Sequence, residues 1–308
     1  MPDRPCLSRR SLIKATANSA AAWHLQRAAR AFGFATAKST VCKTTPEQTV
    51  GPYYIPSELL RSDIREGKPG LPLSLRVLVM NARTCQPLPH AAIDVWHCDA
   101  SGVYAGFSAG PEGMGPGGPP PPGANGIPPG PPPGFGPRDA GDGPGPPQSM
   151  GPPPASKPIN DRTFLRGIQF TGDTGQVTFA TIFPGFYMGR TNHIHFKVRE
   201  GGRVVQRNGS STQKTYMEGH TSHIGQIFFP EDLTAKLMRA QPYAGHTIHR
   251  MTQAEDDIFC SQHGSESIAR LVPADPAKPE AGYLAELIVA VDPSKTSAEA
   301  EMGPPRWD

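Results

Sequence analysis

The chain has 308 residues, with 37 Pro, 34 Gly, 19% charged and 37% hydrophobic residues. That length can bury the core of one large domain, and with no strict Gly-X-Y period, long heptad run or apolar 20-mer, collagen, coiled-coil and polytopic membrane architectures are excluded. The formal charge of +3 resides in the first 37 residues, which hold six basic side chains and Asp3; the remainder has 24 basic and 26 acidic residues, a net −2, so no nucleic-acid partner is expected.

Ser8-Arg9-Arg10-Ser11-Leu12-Ile13-Lys14 is similar to a bacterial twin-arginine export signal, and Ala35-Thr36-Ala37 offers small residues for cleavage. Residues 1–37 are therefore read as an export leader. The mature protein is expected in the periplasm or outside the cell, without a transmembrane span; a disordered basic N-terminus on a cytoplasmic protein is the alternative. Cys6 falls in the leader, which leaves Cys42, Cys85, Cys98 and Cys260. Four cysteines allow two disulfides in three connectivities, or four reduced thiols, and the absence of a C-x-x-C pair argues against a cysteine zinc site.

After an irregular arm from Thr44 to Pro56, strand signals follow in chain order. Leu73 to Val79 alternates, placing Leu73, Leu75, Val77 and Val79 on one face. Ala92 to Cys98, Phe164 to Phe170, Val177 to Phe179, His193 to Val198, Ile224 to Phe229 and Tyr283 to Val291 also read as strands. Turns such as Gly172-Asp173-Thr174-Gly175 separate them. Helix is expected only from Glu231 to Arg239, with a turn near Thr252 to Asp257. Many short strands with Gly-rich turns predict an all-β fold, an antiparallel β-sandwich with little helix, as one domain over 38–293.

Residues 110–154 interrupt that domain with 18 Pro and 14 Gly in 45 positions. This composition lacks apolar surface and ladder donors, so the segment is read as an extended low-complexity insertion from one loop. Residues 294–308 form a polar tail.

The segment Pro184-Gly185-Phe186-Tyr187-Met188-Gly189-Arg190-Thr191-Asn192-His193-Ile194-His195-Phe196 concentrates the chemistry. On a strand, His193 and His195 share one face, where both imidazoles can reach one cation, while Ile194 and Phe196 face the core. Alone, the pair fits two hydrogen-bonded histidines equally well. Tyr187, six residues before His193, can fold back over the histidine face; as phenolate it is a hard anionic donor suited to Fe(III).

This segment resembles the metal-site region of the intradiol ring-cleavage dioxygenases. Three further stretches resemble that family in the same order: Thr45 to Tyr54 (TPEQTVGPYY), Asp94 to Tyr104 (DVWHCDASGVY) and Gly225 to Phe229 (GQIFF). The resemblance spans roughly residues 44–260 apart from the Pro/Gly tract. It implies the family's transthyretin-like β-sandwich and one non-haem Fe(III) per chain, held by Tyr104, Tyr187, His193 and His195. It further implies that Arg190 and Gln226 act beside the metal. Tyr187 would be the displaceable ligand that helps accept a substrate proton. The implied reaction opens a catechol-type ring with O2 between its hydroxyl-bearing carbons, giving a muconate-type dicarboxylic acid, with no organic cofactor. The chain lacks the helical N-terminal segment of the catechol 1,2-dioxygenases; its leader and the Thr163-Phe164-Leu165-Arg166-Gly167 stretch look more like the exported branch of the family.

Two other readings stand beside this one. An exported β-sandwich binding module could keep the metal motif without turnover. A zinc hydrolase on the same histidine pair would require a carboxylate or third histidine nearby, and none is evident. His220/His223 and His246/His249 have H-x-x-H spacing, which suits neither face of a strand, and are read as loop or surface residues, with a place lining the pocket as the alternative for His223, three residues before Gln226. His97 is left unassigned, and Trp96 is read as a core aromatic.

Overall fold

The computed structural model describes residues 42–56, 59–107, 158–207 and 210–298. The leader at 1–37, the Pro/Gly insertion at 110–154 and the tail beyond residue 298 lie outside the described residues.

The chain folds into two packed sheets. The first contains β1 (Pro72–Asn81), β2 (Gln86–Pro87), β5 (Gln176–Ile182), β10 (Arg270–Pro273) and β11 (Tyr283–Val291). The second has the order β4 (Arg166–Phe170), β3 (Ala92–Trp96), β6 (His193–Glu200) and β9 (His220–Phe228). A separate hairpin pairs β7 (Arg203–Gln206) with β8 (Lys214–Met217). Pairing is antiparallel throughout both sheets except between β1 and β11, which run parallel from Leu73↔Tyr283 to Asn81↔Val291. These two strands stand at opposite ends of the fold's sequence. Their long connection meets the requirement that a parallel pair be joined by a crossover rather than a hairpin.

The alternation in β1 is realised as expected: Leu73, Leu75, Val77 and Val79 are buried. They pack with Val177 and Phe179 of the same sheet against Ile93, Val95, Ile194, Phe196, Val198 and Ile227 of the other. This is the main core, and its burial is the principal driving force for the sandwich.

Strand β6 is buried from His193 to Val198 on both faces, and β3 throughout. The outer face of the second sheet is covered by two irregular segments, the arm and residues 97–107. Gln48 N donates to Ile224 O at 3.1 Å and Gln226 N to Gln48 Oε1 at 2.9 Å, which docks the arm along β9. The polar residues His193, His195 and Gln226 therefore lie beneath a lid of backbone instead of facing solvent.

Two short helices flank this face. Helix α1 (Glu231–Leu237) follows Pro230 and carries Glu231 and Asp232 in its first turn, where they oppose the positive end of the helix dipole. Helix α2 (Asp257–Ser261) is capped by Asp256, which accepts from the backbone N–H groups of Ile258 and Phe259. No described helix is long and apolar enough to cross a membrane. Cys42 and Cys85 form a disulfide, and Cys98 is free and buried.

Candidate metal centre

Strand alternation sets the first two donors. His193 and His195, on the outer face of β6, stand nearly perpendicular (82°) with ring centroids 4.6 Å apart, and their Nε2 atoms approach to 3.0 Å. His193 Nδ1 lies 2.7 Å from Thr191 O. A carbonyl can only accept, so Nδ1 carries the proton and Nε2 presents a lone pair. Cross-strand pairing places Trp96 opposite His195, and the two rings stack at 5.0 Å and 5°. Gly51 of the arm closes the other side: at φ +69, a Cβ there would lie 3.0 Å from His195 Cε1.

Tyr187 reaches the histidines from the loop before β6. Its hydroxyl is 3.4 Å from His193 Nε2 and its ring meets that imidazole edge-on at 5.7 Å. Two devices hold the loop. Asn192 Nδ2 donates to Pro184 O at 3.0 Å and Gly185 O at 2.9 Å, tying the end of the loop to its beginning. Gly185 approaches residues 99–100 so closely that a Cβ would fall 2.3 Å from Asp99 O. That contact locks the Tyr187 loop to the segment bearing Tyr104.

Tyr104 follows β3 by a turn in which Asp99 accepts from the backbone N–H groups of Ser101 and Val103. Its ring lies edge-on to Tyr187 at 5.6 Å and tilted to His195 at 6.3 Å. Its hydroxyl is buried and has no hydrogen-bond partner among the described residues. The Pro/Gly insertion begins only six residues later in the sequence, yet Tyr104 sits within the cluster. Tyr53, in the TPEQTVGPYY stretch, stacks on Tyr104 at 4.5 Å and packs edge-on against Tyr187 at 5.7 Å. Nothing in the sequence pattern singles out Tyr53; in the fold it is the aromatic wall behind both phenols.

Burial pushes the phenols of Tyr104 and Tyr187 up; Tyr187 adds to the rise of Tyr104, whereas Arg190 opposes that of Tyr187. Burial also drives both imidazoles down, helped by Arg190 at His193 and by His193 at His195. Two neutral imidazoles and two phenols thus surround one small volume, and a multivalent cation there would reverse the phenol shifts by favouring phenolate. The lone pair on His193 Nε2, the facing His195 Nε2 and the unpartnered Tyr104 hydroxyl make this donor set fit a hard trivalent ion such as Fe(III). Among the described residues no group of three or more His, Cys, Asp or Glu could hold a metal, so the third ligand needed for a zinc hydrolase is not found there.

Arg190 and Gln226 are brought to the same place. Gln226, opposite His195 on β9, is wholly buried; its Nε2 donates to Thr49 O at 2.9 Å. Arg190 Nη2 donates to Gln226 Oε1 at 2.5 Å, and Arg190 Nε donates to both oxygens of Asp256, at 3.2 and 3.0 Å. Burial alone would lower the Arg190 pKa, but Tyr187 and Asp256 outweigh it and hold the guanidinium above its ordinary value. Asp256 lies in the turn expected near Thr252 to Asp257, and its one local sequence signal is that of a capping Asp before a short apolar run.

Other histidines fall outside the cluster. His97 is buried, with Nδ1 2.8 Å from Cys98 O and Nε2 2.7 Å from Thr181 Oγ1. His223 is paired with Val198 and stacks on Phe196, which puts it on the core face of the second sheet, opposite the site; it neither lines the site nor lies on the surface. Behind the site, Asp94 accepts from Tyr54 OH at 3.0 Å, and Lys197 Nζ lies 3.3 Å from the centroid of the Tyr54 ring. Burial raises the Asp94 carboxyl and lowers the Lys197 ammonium to about 8.

Among solved structures, the chain is similar to an intradiol ring-cleavage dioxygenase from Tetranychus urticae. The two are 29% identical, with a TM-score of 0.60, over 84% of this chain and 98% of that one. A second solved dioxygenase matches at 29% identity and a TM-score of 0.59 over the same shares of the two chains. No family model and no curated protein matches the chain.

Proposed function

We propose that the chain is an oxidoreductase of the intradiol ring-cleavage dioxygenase kind, like the two solved dioxygenases it is similar to, and that it opens a catechol-type ring with O2 at one non-haem Fe(III). The product would be a muconate-type dicarboxylic acid. The observation that carries this reading is the convergence of two imidazoles and two phenols in a buried pocket where Tyr187 is the only one of the four with appreciable exposure.

In this reading Tyr104, Tyr187, His193 and His195 hold the metal. Bound Fe(III) supplies Lewis acidity, which makes loss of both catechol protons feasible near neutral pH and prepares the ring for O2. Tyr187, on the solvent side, accepts a substrate proton at its phenolic oxygen. Arg190, fixed beside Tyr187, stabilises negative charge developing on the ring. Gln226 holds the other edge of that guanidinium and ties it to the arm through Thr49 O. Tyr53, Trp96 and Tyr104 exclude water from the remaining sides, which strengthens each of these interactions.

The test is oxygen consumption by iron-loaded protein with catechol, coupled to identification of the ring-opened dicarboxylate. One O2 consumed per dicarboxylate formed supports turnover; catechol binding without oxygen uptake would favour the binding-module reading. Export is also proposed, supported by the leader's twin-arginine pattern and by the Cys42–Cys85 disulfide, a bond that persists in oxidising compartments.

A further inference from the structure

We propose that Asp256 is a positioning residue for the site, its carboxylate setting the orientation of Arg190; the catalytic part of this inference rests on the function proposed above. Asp256 is wholly buried and engages four groups. Both its oxygens receive Arg190 Nε, Oδ2 receives Thr191 N at 2.8 Å, and Oδ1 receives Ile258 N at 2.9 Å and Phe259 N at 3.0 Å. The carboxylate is itself immobilised by three backbone donors, so it is a rigid anchor. Arg190 is consequently gripped at two edges, by Asp256 on Nε and by Gln226 on Nη2.

The geometry has a chemical purpose. An arginine in the loop between Tyr187 and His193 has many rotamers, and a cation that is to meet charge developing on a bound ring must be placed before that charge appears. Asp256 removes those alternatives from outside the pocket, across 66 residues of sequence. It also fastens Thr191, whose carbonyl fixes the His193 tautomer. One buried carboxylate thus braces both the cation and the backbone that orients a proposed metal ligand.

The capping and clamping roles can be separated, because serine caps a helix well but cannot pair with a guanidinium. Asp256→Ser is expected to retain the fold, to lower kcat about 10²-fold and to change KM little, as for a group that acts through the transition state. In an Arg190→Ala background the same substitution should cost no more than about twofold, since the group it positions is gone. A purely structural role predicts instead that the losses multiply. A second readout needs neither metal nor turnover: the Arg190 Nε–H signal in nitrogen-15 NMR spectra of the metal-free protein, identified by its absence in Arg190→Lys. It should be sharp at neutral pH in the wild type and exchange-broadened in Asp256→Ser. Retention of a sharp signal, unchanged kcat or multiplicative losses would each overturn the proposal. If the wild type does not turn over catechol, the proposed function fails while the NMR comparison still decides whether Asp256 positions Arg190. Should Asp256→Ser not fold, Asp256→Asn, which keeps the side chain's shape, replaces it in both measurements.

Discussion

His193 Nε2 faces His195 Nε2 at 3.0 Å while His193 Nδ1 is tied to Thr191 O at 2.7 Å. Two donors two residues apart on one strand thus point into the same space, one with its tautomer fixed by the backbone. His97 is just as buried but has both ring nitrogens engaged by Cys98 O and Thr181 Oγ1.

Iron content should separate these histidines. His193→Ala or His195→Ala should lower bound iron from about one per chain to a small fraction of that. His97→Ala should leave the stoichiometry intact and cost about 1–3 kcal/mol of stability, because it strands two buried partners. Metal analysis beside urea unfolding checks both.

Tyr187→Phe keeps the ring contacts with Tyr53, Tyr104 and His193 and removes only the hydroxyl. Oxygen uptake with catechol should fall by about 10²–10⁴-fold, the range for loss of a proton-transfer group, with stability changed by less than about 1 kcal/mol. Oxygen-electrode rates and thermal melts check it.

Acid should destabilise the metal-free protein through its buried histidines. Burial holds His97 and His223 at about 4, below the ordinary 6.5. Between those values the unfolded chain binds the protons and the folded chain does not. Stability is therefore lost as pH falls from 6.5 towards 4, by up to about 1.4 kcal/mol per pH unit for each histidine. His193 and His195 act in the same direction, and the raised Asp94 in the opposite one. His223→Leu, which replaces a ring stacked on Phe196, should make the slope measured by urea unfolding shallower across this window.

The Cys42–Cys85 disulfide spans 43 residues of sequence and ties the chain just before the arm to the turn between β1 and β2. Replacing both cysteines by serine should cost about 2–4 kcal/mol in urea unfolding.

Much of this fold was legible because its core strands alternate cleanly. Tyr283 to Val291 coincides with β11 end to end, and Leu73 to Val79 lies inside β1. The β7–β8 hairpin escaped notice because Arg203, Val204, Gln206, Lys214 and Met217 are exposed and carry no apolar period. Strand β9 begins at His220, four residues before the expected Ile224, since a register shift at Val198/Arg199 lets the polar HTSH stretch continue the pairing. The site residues were legible because six of them fall within short motifs. Asp256 was not, because what it does depends on Arg190 arriving from another part of the chain. His223 departs from the expected loop or surface position because β9 extends back to His220 and strand alternation carries it into the core.

An Fe(III) held by two phenolates with room for a catechol would show itself in visible absorption of the iron-loaded protein before and after anaerobic addition of catechol. The expected result is a broad phenolate-to-iron charge-transfer band that shifts when catechol is added, with a weakened band in Tyr187→Phe. A protein that takes up no iron, or that takes it up and remains colourless with and without catechol, would contradict it.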